Sequence, residues 1–225
     1  MKTLVLVALV AALATAVLAS KGFDISGDTC DGSDWISSKD FPCFASQGKT
    51  FTIIQTWMGG YGATNSIAYC ASQAHSAGLS VSLYAYACPR CSGNTPAYNV
   101  FYNLVKNLAK QGVKYNYLYF DIEDCPPSSC WESSKQQNAE FLGEAINGAE
   151  AAGAKIGIYA SESQWSAIMG SNSSFSHYPL WYPHYDGNPS FSDFQSFAGW
   201  KSPQMKQYSD HSDVGCFQNV DPDYM

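Results

Sequence analysis

Apolar and polar positions along the chain fall into two alternating periods. Short apolar or strictly alternating runs have the period of strands. Between them, apolar residues recur every three or four positions, the period of helices. FTIIQTW (51–57) predicts a strand, and TNSIAYCASQAHSAG a helix closed by Gly78. LSVSLYAY (79–86) alternates and predicts the next strand. The helix AYNVFYNLVKNLAKQG places Val100, Leu104 and Leu108 on one stripe and stops at Gly112, with Thr95 as its N-cap and Pro96 at the first helical position. YNYLYFDIED then has the character of a buried strand until its acidic end. Ser133 with Gln136 has the spacing of a capping box for the helix KQQNAEFLGEAINGAEAAG, which ends at Gly153. AKIGIYA (154–160) and YPLWYP (178–183) predict two further strands, with a short helix capped by Ser161 and Gln164 between them. The tail from Ser196 is less helical and is expected to carry short final strands.

Strands alternating with helices imply βαβ units and a parallel sheet. With no repeat, low-complexity tract or linker, the expected fold is a single-domain α/β structure, an incomplete, flattened β/α (TIM-like) barrel. The alternative is an open, doubly wound sheet. In a barrel of this kind the working residues stand at the C-terminal ends of strands.

The first stretch, MKTLVLVALVAALATAVLAS, lies outside this pattern. A single Lys2, an apolar run and small residues at its end are the layout of a secretory leader, with Val17 and Ala19 at the positions read by the cleavage enzyme. Residues 1–19 are therefore expected to be a signal peptide and 20–225 the functional domain. The destination is outside the cell or the phagosomal or lysosomal lumen. All eight cysteines follow the leader, and an even count in an exported chain argues for disulfides over zinc. Cys88/Cys91 and Cys125/Cys130 are close enough to close small loops; the other pairings stay open. Net charge is −7, and losing Lys2 makes it −8, which opposes contact with nucleic acid or anionic lipid. No later segment is long and apolar enough for a membrane span. Fifteen tyrosines and six tryptophans fit either a packed core or a sugar-binding cleft.

The chemistry concentrates at the end of the central strand. Charge there costs solvation energy unless something uses it. Side chains alternate, so Asp121 and Glu123 share one face, with Cα atoms roughly 6.5–7 Å apart. Two neighbouring carboxylates disfavour double ionisation, and burial in an aromatic mouth would raise Glu123 further. A protonated acid beside an anion is what glycoside hydrolysis requires. Two other acid-bearing stretches, GFDIS with Asp24 and NVDPDY with Asp221 and Asp223, fit the same picture.

Taken in order, GFDIS, FTIIQTWMGG, AGLSVSLYAYA, YFDIED, AKIGIYASESQW, LWYPHY and MKQYS…NVDPDY closely resemble glycoside hydrolase family 25, the Chalaropsis-type lysozymes, over nearly the whole chain after the leader. The resemblance implies an incomplete β/α barrel and cleavage of the β-1,4 bond between N-acetylmuramic acid and N-acetylglucosamine. Bacterial peptidoglycan is then the partner. By motif match Glu123 takes the general acid/base place and Asp121 that of its anionic partner, as nucleophile or orienter of the N-acetyl group. Asp24 and Asp221 match the outer acids of the catalytic set, and Tyr84, Tyr159 and Trp181 the aromatics that bind substrate. No cofactor and no metal are called for, and a monomer is expected. The chain departs from the common bacterial pattern in the cysteines of GDTCDGSDWISSKDFPCF, in Gln55 where arginine is frequent, and in Pro222 within the closing acid motif. The eukaryotic branch, in amoebae and nematodes, is the better comparison.

Other residues have plainer readings. Asp124 should face away and tether the loop before CPPSSC, Asp223 is closer to a loop acid than to a catalytic one, and His184 fits a rim position. His75 and Trp165 read as helix packing, Asn172 in NSS matches a glycosylation acceptor, and Trp57 is a candidate substrate contact just past its strand. Neither G-x-S-x-G nor a Walker-type loop occurs. A chitinase-like glycosidase is the rival enzyme, although Tyr117 and Tyr119 stand where its upstream acids would fall. A non-catalytic wall-binding lectin on the same scaffold is the rival of another class.

Overall fold

A computed structural model describes residues 19–31, 35–125, 130–210, 216–218 and 220–225. The expected leader lies outside the described residues except for Ala19. Ser20 exchanges two backbone hydrogen bonds with Met225, which brings the start of the folded chain beside its last residue.

Eight strands close into a barrel in chain order: β1 (Lys21–Ile25), β2 (Lys49–Met58), β3 (Ser80–Tyr86), β4 (Leu118–Asp121), β5 (Ile156–Tyr159), β6 (Leu180–Pro183), β7 (Met205–Gln207) and β8 (Asp221–Tyr224). β1 to β7 run parallel, and β8 closes the ring antiparallel to both β7 and β1. Closure excludes the open sheet. What is incomplete is the outer layer. Helices α1 (Gly27–Asp31), α2 (Asp40–Ser46), α3 (Ile67–Ser76), α4 (Ala97–Lys110), α5 (Lys135–Ala151) and α6 (Glu162–Met169) cover the first five crossovers. No helix joins β6 to β7. A row of rings stands there instead: Phe194 packs on Tyr182 at 5.1 Å, Phe197 on Trp200 at 5.3 Å and Trp200 on Trp165 at 4.8 Å. Rings at these separations bury the outer face of β6 as a helix would.

Two caps sit one residue later than expected. Pro96 has extended backbone and occupies the N-cap position, so α4 begins at Ala97. Ser134, not Ser133, caps α5 by accepting from the Gln137 N–H at 3.3 Å. Both serines have a glutamine three residues on, so the local signal fits either. Ser161 caps α6 through Gln164 as expected.

The barrel encloses its own aromatic cluster: Phe51, Ile53, Tyr119, Tyr159, Trp181 and Met205, with Tyr84 and Tyr117 against it. Glycine makes room for it at two points. A Cβ at Gly22 would strike the Phe51 ring, and one at Gly157 the Tyr119 ring. A second, larger apolar layer lies between the strands and the helices.

All eight cysteines are paired: Cys88–Cys91 and Cys125–Cys130 close the short loops after β3 and β4. Cys30–Cys70 ties α1 to α3, and Cys43–Cys216 ties α2 to the approach to β8. The last spans 173 residues, and on the chain-entropy account a loop that long stabilises by about 5 kcal/mol. The cysteines that set this chain apart in its first crossover thus anchor it at both ends.

Candidate active site

The mouth is built at the C-terminal ends of the parallel strands, and antiparallel β8 brings its first residue, Asp221, to the same end. β4 ends at Asp121, which is 7% exposed, and Ile122 points the other way into the outer apolar layer. Glu123 returns to the mouth and is half-buried. Its backbone carbonyl is held by the Trp131 indole N–H at 2.7 Å and by the Tyr86 hydroxyl at 3.4 Å. Asp124 is exposed and its carboxylate accepts from Cys125 N at 2.9 Å and Cys130 N at 3.4 Å, the tether expected of it. Asp24 and Asp221 are direct partners across the antiparallel β1–β8 pair. The Tyr84 phenol lies in the field of Asp24, Asp121, Asp221 and Glu123 together, which places all four around one mouth.

Gln207, at the end of β7, links them. Its amide nitrogen donates to Asp24 at 2.7 Å and to Asp221 at 3.1 Å. Its amide oxygen accepts from the hydroxyls of Tyr159 at 2.6 Å and Tyr185 at 3.0 Å. Below lies Asp223, fully buried, accepting from the Trp181 indole N–H at 2.8 Å. It is a strand residue of β8, not the loop acid its sequence neighbourhood suggested. It points inward because it is two residues from Asp221 on the same strand.

Burial dominates the titration of this cluster. Loss of water pushes Asp24, Asp121 and Asp223 well above the ordinary aspartate range. Asp24 is raised further by the charges of Asp223 and Asp221, against which the Gln207 N–H works. Glu123 is raised first by burial and then by Asp221. Asp121 is raised by burial and by the charge of Glu123, so the two carboxyls disfavour double ionisation, as expected of neighbours.

The three expected substrate aromatics converge on the mouth, with different exposures. Tyr84 is half-buried, whereas Tyr159 is 5% and Trp181 2% exposed. Trp181 packs edge-on against Tyr159 at 4.4 Å and Tyr84 at 6.0 Å. It is a floor that holds Asp223 rather than an open stacking face. Tyr185, 51% exposed, is the open ring at the rim.

Trp57 belongs to β2 itself and turns outward. Its indole donates to Asn94 at 3.1 Å and its ring meets Phe101 at 5.7 Å, so it packs under α4 and away from the mouth. Gln55, in the place of the frequent arginine, accepts from the Gly27 N–H at 2.7 Å and anchors the start of α1. His75 bonds the Lys114 carbonyl, Trp165 is core, and the Asn172 side chain accepts from Ser174 N. His184 lies on the rim, paired with Asp193. Among the described residues two groups have metal-ligating atoms within 4.8 Å of one another. In Cys88, Cys91 and Cys130 the sulfurs are taken by disulfides; among His184, Asp186 and Asp193 the Lys206 ammonium already supplies the cation.

Gln207, Asp223 and Tyr185 were not singled out as site residues by the sequence pattern. Alternation from Asp221 would have found Asp223. Gln207 carries no such signal, since a three-residue strand shows no period.

A closed β/α barrel with paired carboxylates at its C-terminal mouth has the architecture on which glycosidases are built. Residues 25–208 match the family model described as Lysozyme-like protein 1. Three relatives from Dictyostelium discoideum are similar in sequence. Probable GH family 25 lysozyme 3 is 44% identical over 84% of this chain and 38% of its own length. Counting factor 50 is 41% identical over 84% and 62%, and Probable GH family 25 lysozyme 2 is 35% identical over 90% and 89%. The chain thus spans well under half of the first and under two thirds of the second. Among solved structures, a family GH25 lysozyme from Aspergillus fumigatus superposes with a TM-score of 0.72 at 21% identity, over 92% of this chain and 93% of that one. The chain belongs to the family 25 lysozymes.

Proposed function

We propose that the protein is a secreted muramidase that hydrolyses the β-1,4 bond between N-acetylmuramic acid and N-acetylglucosamine in bacterial peptidoglycan. The observation that carries this reading is the pairing of Asp121 and Glu123 at the end of β4. Both are raised by burial, and they share a mouth walled by Tyr84, Tyr159 and Tyr185. Glu123, protonated, delivers its proton to the glycosidic oxygen as the bond to the anomeric carbon breaks. Asp121 faces the positive charge that develops there, as nucleophile or through the substrate N-acetyl group. Glu123, now a carboxylate, takes a proton from the water that completes hydrolysis and leaves a new reducing end. Protons on two coupled carboxyls belong to the pair, and the productive form is the one with the proton on Glu123.

The leader pattern and the four disulfides support export to the medium or to a phagosomal or lysosomal lumen. None of the described helices is long and apolar enough to cross a membrane.

Digestion of purified peptidoglycan, with mass spectrometry of the fragments, tests the reading. Fragments ending in reducing N-acetylmuramic acid are expected, and Glu123→Gln should lower their yield by ~10²–10⁴-fold without loss of fold. Release from chitin alone would make the protein a chitinase-like enzyme. Wall binding with no new reducing ends across a pH series would make it a lectin.

A further inference from the structure

We propose that Gln207 is the positioning residue of the mouth: it fixes which acids face the substrate charged, by donating to Asp24 and Asp221 from an amide locked by two phenols. The inference rests on the muramidase reading for its effect on catalysis, but not for its effect on the acids.

An amide has a donor end and an acceptor end, and its direction matters only if something fixes it. Here both ends are used twice. Tyr159 and Tyr185 each direct a hydroxyl at Oε1, and Asp24 and Asp221 each accept from Nε2. Turning the amide over would point its oxygen at two carboxylates. Gln207 is 4% exposed, so water does not compensate for such a reversal. Its strand supplies rigidity, because Gln207 pairs with Asp223 of β8 and Pro183 of β6.

The surroundings explain why such a group is needed. Asp121 and Glu123 face the array from β4, Asp223 from β8 and the Tyr84 phenol from β3. A cation that acts on this cluster is the Lys49 ammonium of β2, which donates to the Gly22 carbonyl at 2.8 Å and is felt by Asp223. Neutral donors therefore have to decide which acids stay charged. The Gln207 N–H favours the ionised form of Asp24, and the charge of Asp221 in turn favours the protonated form of Glu123. One uncharged side chain thus works toward the anionic form on the β1–β8 side of the mouth, and negative charge there favours the transferable proton on the β4 side.

The test uses Gln207→Met, which keeps the length and removes both ends of the amide, and Tyr185→Phe, which removes one of its two locks at a half-exposed position. Carboxyl titration by NMR on the full chain reads Asp24 directly. It should titrate at higher pH in Gln207→Met and, by a smaller amount, in Tyr185→Phe. Turnover of peptidoglycan in Gln207→Met should fall of the order of tenfold or more, mainly in kcat, with the basic limb of the pH profile moved to lower pH. If Gln207 served packing alone, thermal stability would fall while Asp24 and the pH profile stayed in place. An unmoved Asp24 titration in folded Gln207→Met overturns the proposal; should that variant not fold, an unmoved Asp24 in Tyr185→Phe does so. A wild-type chain that leaves peptidoglycan intact would refute the muramidase reading, while the titration would still decide the role of Gln207.

Discussion

Two acid clusters stand back to back on β7, and they behave in opposite ways. Gln207 points into the mouth, among Asp24, Asp121, Glu123, Asp221 and Asp223. Lys206, its neighbour in sequence, points outward and is fully buried between Asp186 at 2.9 Å and Asp193 at 3.0 Å, with His184 beside them. In the outer cluster a cation and hydrogen bonds offset burial, so Asp186 lies below its ordinary value of 3.8 and Asp193 falls to about 2. In the mouth nothing offsets burial fully, and the carboxyls rise. The residue type is the same; the partner decides. A carboxylate paired with a buried ammonium is a clamp for the loop that replaces a helix between β6 and β7. A carboxylate facing other carboxylates is available to hold and move a proton.

The largest expected effect breaks the outer cluster. Lys206→Met leaves Asp186 and Asp193 crowded with no ammonium between them. Removing one partner of a buried pair costs about 3 kcal/mol or more, somewhat less here because both aspartates keep contact with water. Urea denaturation should show that loss at pH 7, with peptidoglycan cleavage of the surviving folded fraction retained. A variant as stable as the parent would mean that the clamp contributes nothing.

The two clusters also predict opposite pH dependences. The mouth acids have folded values above their unfolded ones, so they favour folding fully below about pH 4 and lose that advantage as pH rises through their raised values. Asp193, depressed to about 2, contributes stability that is present above 3.8 and lost as pH falls through 2. Stability should therefore be greatest near pH 4 and decline on both sides, which thermal melts from pH 2 to pH 8 can read. Activity should follow a related course. Glu123 has to hold its proton, and the net negative chain is repelled less by anionic walls in acid, so the optimum is expected at roughly pH 4–6. A melting curve that only rises from pH 4 to pH 8 would contradict the charge assignment of the mouth.

Asp121→Asn separates stability from function at one position. It removes a buried carboxylate that has an oxygen without a hydrogen-bond partner. The variant should gain about 1 kcal/mol at pH 7, with the gain vanishing near pH 4, while turnover falls by ~10²-fold or more. Equal melting temperatures of variant and parent at both pH values would show that the fold does not raise Asp121 above its ordinary range.

Which of these features could be read from the chain follows from range. Asp121 and Glu123 were legible because alternation is local and both sit at one strand end. The Ser161–Gln164 cap was legible for the same reason, and the α5 cap was legible to within one residue because Ser133 and Ser134 compete on equal terms. Asp223 was within reach of the same alternation, counted from Asp221; Gln207 was not, since its meaning lies in closure of the barrel, which brings it to Asp24 across 183 residues of chain. Trp57 misled because a tryptophan at a strand end suits either face, and only the register against α4 turns it outward. The Cys43–Cys216 bridge, with 173 residues between its ends, has no local signature at all.

The smallest expected effect sharpens the comparison most. Glu123 is raised by burial and, next, by the charge of Asp221. Asp221→Asn removes that charge and leaves the burial in place. The proton on Glu123 then becomes easier to lose, so the basic limb of the pH–rate profile should move to lower pH. Asp121→Asn should move that limb the same way in its residual activity, because the repulsion between Asp121 and Glu123 is mutual. Activity on the acid side of that limb should change little in Asp221→Asn beyond any loss of substrate contact. Profiles of the two variants measured side by side decide the matter. If Asp121→Asn moves the limb and Asp221→Asn does not, then the proton of Glu123 is held by its neighbour on β4. The β1–β8 side of the mouth would then have no electrostatic hold on the reacting acid.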